Sequence, residues 1–150
     1  MAVYNVVTVP DPILKQKAQK VEKINAGVLR LMDNMRDTMY AADGVGLAAP
    51  QIGVSKRIIV IDPGEQLIEM INPQIIFSEG EQTAREGCLS VPDLLGWCKR
   101  AQKVTVKGLN RNGEEIEMEA TDMLARVFQH EIDHLDGILF PDKAIQTKKI

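Results

Sequence analysis

Two cysteines, two histidines and one tryptophan are all that the 150 residues hold of these types. Two cysteines cannot build the disulfide framework on which small secreted scaffolds depend. No apolar run reaches the ~18 residues of a membrane span, so no membrane association is expected. The opening MAVYNVVTVPDPILKQK has no basic segment leading into an apolar core, so no secretory signal is expected. An excess of positive charge is also missing. Lys and Arg total 18 against 21 Asp and Glu, a formal net charge of -3. A nucleic-acid binder usually carries a basic patch or a high pI, so direct nucleic-acid binding is not expected. No repeat, low-complexity tract or linker interrupts the chain, and its 11 Gly and 7 Pro are scattered as turn punctuation.

What is present is a globular composition, 45% hydrophobic and 26% charged. This excludes disordered and collagen-like chains. The length fits one domain, 1–150, able to bury roughly two-thirds of its unfolded surface without staples. Lack of a signal or span points to the cytoplasm. There a cysteine serves as a metal ligand or a buried thiol more often than as half of a disulfide.

Periodicity supplies a coarse architecture. Across Ile24 to Ala42, Val28, Met32, Met35 and Met39 recur at helical spacing, with Leu31 beside them and a polar back face. This predicts an N-terminal amphipathic helix ending near Asp43-Gly44. The methionine stripe fits core packing, where the flexible thioether fills irregular gaps. Arg57 to Asp62 predicts a buried strand closed by Pro63-Gly64, with Leu67 to Asn72 as its partner, stopped by Pro73. Val104 to Leu109 and Glu114 to Glu119 flank Asn110-Arg111-Asn112-Gly113, which predicts a hairpin. Helical spacing returns from about Asp122 to Leu135, and Gly137 can close it. The expected fold is α+β, with short mixed or antiparallel sheets packed around a central C-terminal helix, plus the N-terminal amphipathic helix.

Both histidines fall in the late helix, in Gln129-His130-Glu131-Ile132-Asp133-His134. Positions i and i+4 share a helix face, so His130 and His134 can reach one metal ion. Glu131 lies about 100° around the helix, where it can touch a water on that metal without displacing it. This is the H-E-x-x-H arrangement of hydrolytic metal sites. A catalytic site also needs a third protein ligand and an open position. Downstream, Asp136 is too near to close a good tetrahedron, and Asp142 is the other carboxylate. Upstream, Cys88 stands in Glu86-Gly87-Cys88-Leu89-Ser90, where Gly87 allows close backbone approach. Cys98, between Trp97 and Lys99, reads as a buried thiol. Gly44-Val45-Gly46-Leu47-Ala48-Ala49-Pro50-Gln51 is bare backbone, suited to a tight turn or to a substrate chain added as a strand.

These three segments together resemble the peptide deformylases. The family's GxGLAAxQ, EGCLS and QHExDHLxG stand here as Gly44–Gln51, Glu86–Ser90 and Gln129–Gly137, complete and in order. The opening Val9-Pro10-Asp11-Pro12-Ile13-Leu14 and the strand order are also similar. The resemblance implies an enzyme that removes the N-formyl group from the formyl-methionine of newly made polypeptides, releasing formate. It implies Cys88, His130 and His134 as ligands of one divalent metal ion. That ion is ferrous iron in the cell, with zinc, nickel or cobalt able to replace it; a thiolate with two imidazoles suits iron and zinc alike. It further implies Glu131 as general base and acid, and Gln51 with the Leu89 N–H as donors to the oxyanion.

Before His130 on the same helix face come Val127 and Met123, flanked by Arg126. With Val45 and the backbones of Gly46 and Gly87 they would form an apolar pocket suited to a methionine side chain. Alternatively, Met123 and Val127 simply pack in the core. Arg126 departs from the family, which often has an apolar residue there, and its stem can line the pocket with its head in water. The family pairs Glu86 with Arg100, which would pin the Cys88 loop. Asp133 either orients an imidazole or faces water. Many bacterial relatives carry an Arg shortly beyond EGCLS that meets the substrate backbone. Here Asp93-Leu94-Leu95-Gly96-Trp97 leaves an apolar rim. Relatives with a long C-terminal helix use it to dock on the ribosome; Lys143, Lys148 and Lys149 form a short basic tail that does not support docking. Two rivals stand beside this reading. A zincin-type peptidase needs a third ligand downstream, and no third His exists. A non-catalytic metal-binding module needs a fourth ligand, for which Cys98 alone is spare.

Overall fold

The computed structural model describes residues 2–64 and 66–150. Asn25 accepts from the Val28 N–H at 3.0 Å and so caps helix α1, Ala26–Ala41. The cap sets the start two residues later than periodicity alone indicates. Val28, Met32, Met35 and Met39 are all buried, as their spacing predicts. The strands in chain order are β1 (Gly46–Ala48), β2 (Ile58–Ile61), β3 (Ile68–Glu79) and β4 (Gln82–Cys88). Then follow β5 (Val91–Arg100), β6 (Lys103–Leu109) and β7 (Glu115–Thr121). Helix α2 is Asp122–Leu135; the short α3 (Phe140–Lys143) and strand β8 (Ala144–Lys149) come last.

The strands form a five-stranded sheet, β1-β2-β3-β6-β7, and a three-stranded sheet, β4-β5-β8. All named pairings are antiparallel, and among the described residues the one parallel contact is the isolated bridge Gln19↔Lys56. The sheets are therefore antiparallel and not mixed. Their strands are not uniformly short either, since β3 has 12 residues.

Strand β2 shows what the large sheet is for. Its four residues are fully buried, and they alternate between two helices. Ile58 and Val60 join the α1 stripe, while Ile59 and Ile61 join Ala125, Phe128 and Ile132 of α2. The sheet is thus sandwiched, with α2 on the face away from α1. Arg57 fixes the far end of α2, donating to the Leu135 carbonyl at 2.8 Å and to Asp136 at 2.9 Å. A cation at a helix C-terminus also complements its dipole.

Pro73 does not stop β3. It falls in a register irregularity between Ile71 and Gln74, where the ladder needs no donor from it. The preceding Asn72, at φ 54, exchanges two hydrogen bonds of 2.9 Å with the Val21 backbone. The hairpin between β6 and β7 stands as predicted, with Leu109 opposite Glu115 and Gly113 at φ +79.

The small sheet carries Cys88. Strands β4 and β5 are joined at Leu89-Ser90, with a register shift between Glu86 and Cys88. The Lys-bearing tail is not loose: β8 pairs along β5, with Leu94 opposite Lys149. The N-terminal segment bridges the sheets. The Val7 N–H reaches the Gln51 carbonyl at 2.7 Å and the Val9 N–H the Ser90 carbonyl at 2.9 Å. No helix among the described residues is long and apolar enough to cross a membrane.

Candidate metal centre and active site

Cys88, at the end of β4, meets two side chains from the middle and end of α2. One donor atom from each of Cys88, His130 and His134 falls within 4.8 Å of the others. Cys88 Sγ lies 3.3 Å from His134 Nε2. His134 is 1% exposed.

His130 is held from behind. Its Nδ1 lies 2.9 Å from Glu86 Oε1. A carboxylate only accepts, which assigns a proton to Nδ1 and turns the Nε2 edge of the ring toward Cys88. Arg100 grips the same carboxylate through Nε at 2.7 Å and Nη2 at 2.8 Å. Its Nη1 reaches Asp133 at 2.7 Å, and Lys143 reaches the other Asp133 oxygen at 3.1 Å. Asp133 therefore neither touches an imidazole nor simply faces water: it completes the cradle of Arg100. Burial alone would raise Glu86, but Arg100 and His130 hold it at about 2.

Glu131 is 4% exposed, and its Oε1 has no hydrogen-bond partner within the protein. Burial pushes its carboxyl up to about 7, against the pull of His130 and Arg100. Its other oxygen crowds β1. A Cβ on Gly46 would lie 2.6 Å from Glu131 Oε2, so a glycine is needed there for the carboxylate to stand where it does. Burial would lower His130, yet Cys88, Glu86 and Glu131 raise it to about 10. His134 is lowered to about 3, first by burial and then by His130 and Arg100.

Gln51 is fixed at both ends of its amide. Oε1 accepts from the Ala48 N–H at 2.9 Å, while Nε2 donates to Ser90 Oγ at 3.1 Å and faces Cys88 Sγ at 3.7 Å. Sequence reasoning overlooked Ser90. Its only signal there was its place two residues after Cys88.

These groups border a cavity of about 520 Å³. Val45, Gly46, Gly87, Leu89, Met123, Arg126 and Val127 line it, as do Gln51, Glu86, Cys88, His130 and Glu131. Val127 both lines the cavity and belongs to the core packed on the large sheet. Met123 is exposed, and so belongs to the cavity wall and not to the core. Arg85, Leu94 and Leu95 also line the cavity, and no motif marked them.

The alternatives for a third ligand are engaged elsewhere. Asp136 holds Arg57. Asp142 holds Lys15 and the Leu139 N–H, each at 3.0 Å. Cys98 is buried against the Phe140 carbonyl at 3.5 Å, and burial pushes its thiol up to about 11. Among the described residues, a thiol and two imidazoles are the candidate ligand set. Those donors, and the unpartnered buried Glu131 Oε1 beside them, fit a small divalent cation with a position left open.

An imidazole pair one helical turn apart, joined by a strand thiol, is the arrangement of a mononuclear metal hydrolase. The chain belongs to the polypeptide deformylase family, whose model matches residues 3–150. It is 66% identical over 148 residues to the peptide deformylase of Syntrophomonas wolfei subsp. wolfei, covering 99% of this chain and 97% of that one. Identity to the peptide deformylase of Carboxydothermus hydrogenoformans is 63% over 144 residues, covering 96% and 95%. The crystal structure of peptide deformylase from Thermotoga maritima superposes with a TM-score of 0.93 at 40% identity, covering 96% of this chain and 99% of that one.

Proposed function

We propose that this chain hydrolyses the N-formyl group from the formyl-methionine of newly synthesised polypeptides, releasing formate, in one catalytic domain that acts in the cytoplasm. The convergence of Cys88, His130 and His134 within 4.8 Å carries this reading, together with membership of the family. One divalent cation held by these three residues would lower the pKa of a water toward neutrality. Ferrous iron is the expected ion; zinc, nickel and cobalt suit the same donors.

The chain's own residues supply the rest. Glu131 takes the water's proton as the oxygen attacks the formyl carbon, then passes it to the amine as the C–N bond breaks. A carboxyl already raised to about 7 by burial is suited to both directions of transfer. Gln51 Nε2 and the Leu89 N–H meet the oxyanion, and the Ala48 and Ser90 contacts keep the Gln51 amide from turning over. Glu86 fixes the His130 ring, and Arg100 fixes Glu86. β1 is an edge strand, so a substrate backbone can add along it between Gly46 and Gly87. The methionine side chain then rests on Val45, Met123, Val127 and the stem of Arg126. The segment after α2 lies as β8 on the small sheet, which lends no support to ribosome docking by a C-terminal helix.

A zincin reading lacks its downstream ligand, and a closed metal module lacks its fourth. The test is formate release from a formyl-Met-Ala-Ser peptide by anaerobically iron- or nickel-loaded protein, with and without a chelator. Absence of chelator-sensitive formate release overturns the proposal.

A further inference from the structure

We infer that the mouth of this cavity selects formyl-methionyl peptides bearing an acidic side chain in the first residues after methionine, with Arg85 and Arg126 as the specificity-determining cations. The inference rests on the deformylase reading and deepens it.

The charges lining the cavity carry the argument. Glu86 is saturated by Arg100 and His130. Cys88, His130 and Glu131 belong to the centre. The remaining charged side chains of the lining are Asp43, Arg85 and Arg126, two cations and one anion. Neither arginine takes part in an ion pair among the described residues, whose pairs engage other cations.

Arg126 is nevertheless held in place. Its Nη1 donates to Gln82 Oε1 at 2.9 Å. Gln82 is itself oriented, donating to the carbonyls of Ala101 at 3.0 Å and Asp122 at 2.9 Å. The carboxylate that helical spacing would offer Arg126, Asp122, is engaged by Gln102. A neutral acceptor thus positions the guanidinium and leaves most of its five donors free for a ligand. Arg85 sits exposed on β4 opposite Trp97, a neutral cross-strand neighbour.

The surrounding wall is apolar: Val45, Leu89, Leu94, Leu95 and Met123 all line the cavity. Low-polarity walls focus the field of uncompensated charges. A peptide whose methionine is seated beside Val127 leads its next residues past this mouth. A carboxylate there meets guanidinium forks, which match its geometry. A lysine there meets like charge.

The test uses metal-loaded full-length protein and amidated peptides, which carry no terminal carboxylate to mimic the signal. Two series, formyl-Met-X-Ala-amide and formyl-Met-Ala-X-amide, are compared with X as Glu, Gln or Lys. At low salt, Glu is expected to exceed Gln in kcat/KM by about threefold to tenfold in at least one series, the range two half-exposed ion pairs can supply. Lys should fall below Gln, and 0.5 M salt should compress the spread. Arg85→Gln and Arg126→Gln should each reduce the Glu-to-Gln ratio, and Arg85→Glu should turn the preference toward Lys. Glu and Gln peptides cleaved equally by the wild type overturn the inference, as does a ratio unchanged in both Gln variants. Failure to cleave any peptide instead strikes the deformylase reading beneath it.

Discussion

Cys88 and Cys98 lie on neighbouring strands of the same small sheet and border the same apolar cluster, yet among the described residues only Cys88 stands beside two imidazoles. Cys98 pairs with Ala84 on one side and with Ala144 on the other, at a register shift in the β5–β8 pairing, and packs among Leu14, Val91, Leu139 and Phe140. Among the described residues its thiol has one polar contact, the Phe140 carbonyl, and burial pushes it up to about 11. Cys88 sits where the ladder breaks, half-buried, beside His134 and Gln51. The sheet itself therefore does not make a thiol a ligand. Both cysteines border a register shift, so the difference comes from the element each side chain meets: α2 brings imidazoles to Cys88, while Cys98 meets α3.

The contrast breaks most sharply at Cys88. Cys88→Ser should abolish tight metal binding and turnover together, read by metal analysis and formate release. Glu131→Ala comes next. It should keep its metal but lose turnover by about 10²–10⁴, the usual weight of a general acid–base group. Wild-type turnover in that variant would remove Glu131 from the proton path.

Behind the ligands, Glu86→Gln should weaken metal affinity by about 10–100-fold, as losses of a ligand's hydrogen-bond partner do. The same carboxylate sharpens the comparison through pH. Its value falls from 4.5 to about 2 on folding. Its contribution to stability is therefore complete above about 4.5 and is lost as pH falls from there through 2. Thermal midpoints measured down this range should drop less steeply in Glu86→Gln than in the wild type. The smallest effect belongs to the other thiol. Cys98→Ala should leave metal content and turnover unchanged and cost about 1–2 kcal/mol in denaturant unfolding, through the small void it leaves. Loss of metal there would erase the distinction between the two cysteines.

Legibility followed the same division. Helix α2, helix α1 and the β6–β7 hairpin carry their periods and turn chemistry in plain view. The stretch from Asp122 to Leu135 offers both a helix and two candidate ligands from spacing alone. The small sheet does not read this way. Gln82–Cys88 has few β-branched residues, and its strands are stabilised by partners distant in the chain. Pro73 misled because a bulge removes the very donor requirement that normally forbids proline in a strand. Cys88 was one of several third-ligand candidates by chemistry, and only the family's motifs singled it out before the fold brought it to His134, 46 positions away. The Arg100–Asp133–Lys143 cradle and the Ser90 contact had no sequence signal, because each joins elements that meet only in three dimensions.

The strap formed by Val7 and Val9 has a consequence for how the molecule comes into being. Val7 and Val9 hydrogen-bond to Gln51 and Ser90, while both imidazoles lie on α2, further along the chain. The partners of the strap are therefore synthesised before the helix that completes the centre. A growing copy cannot bring Cys88 against two imidazoles until α2 has followed β4 out of the ribosome.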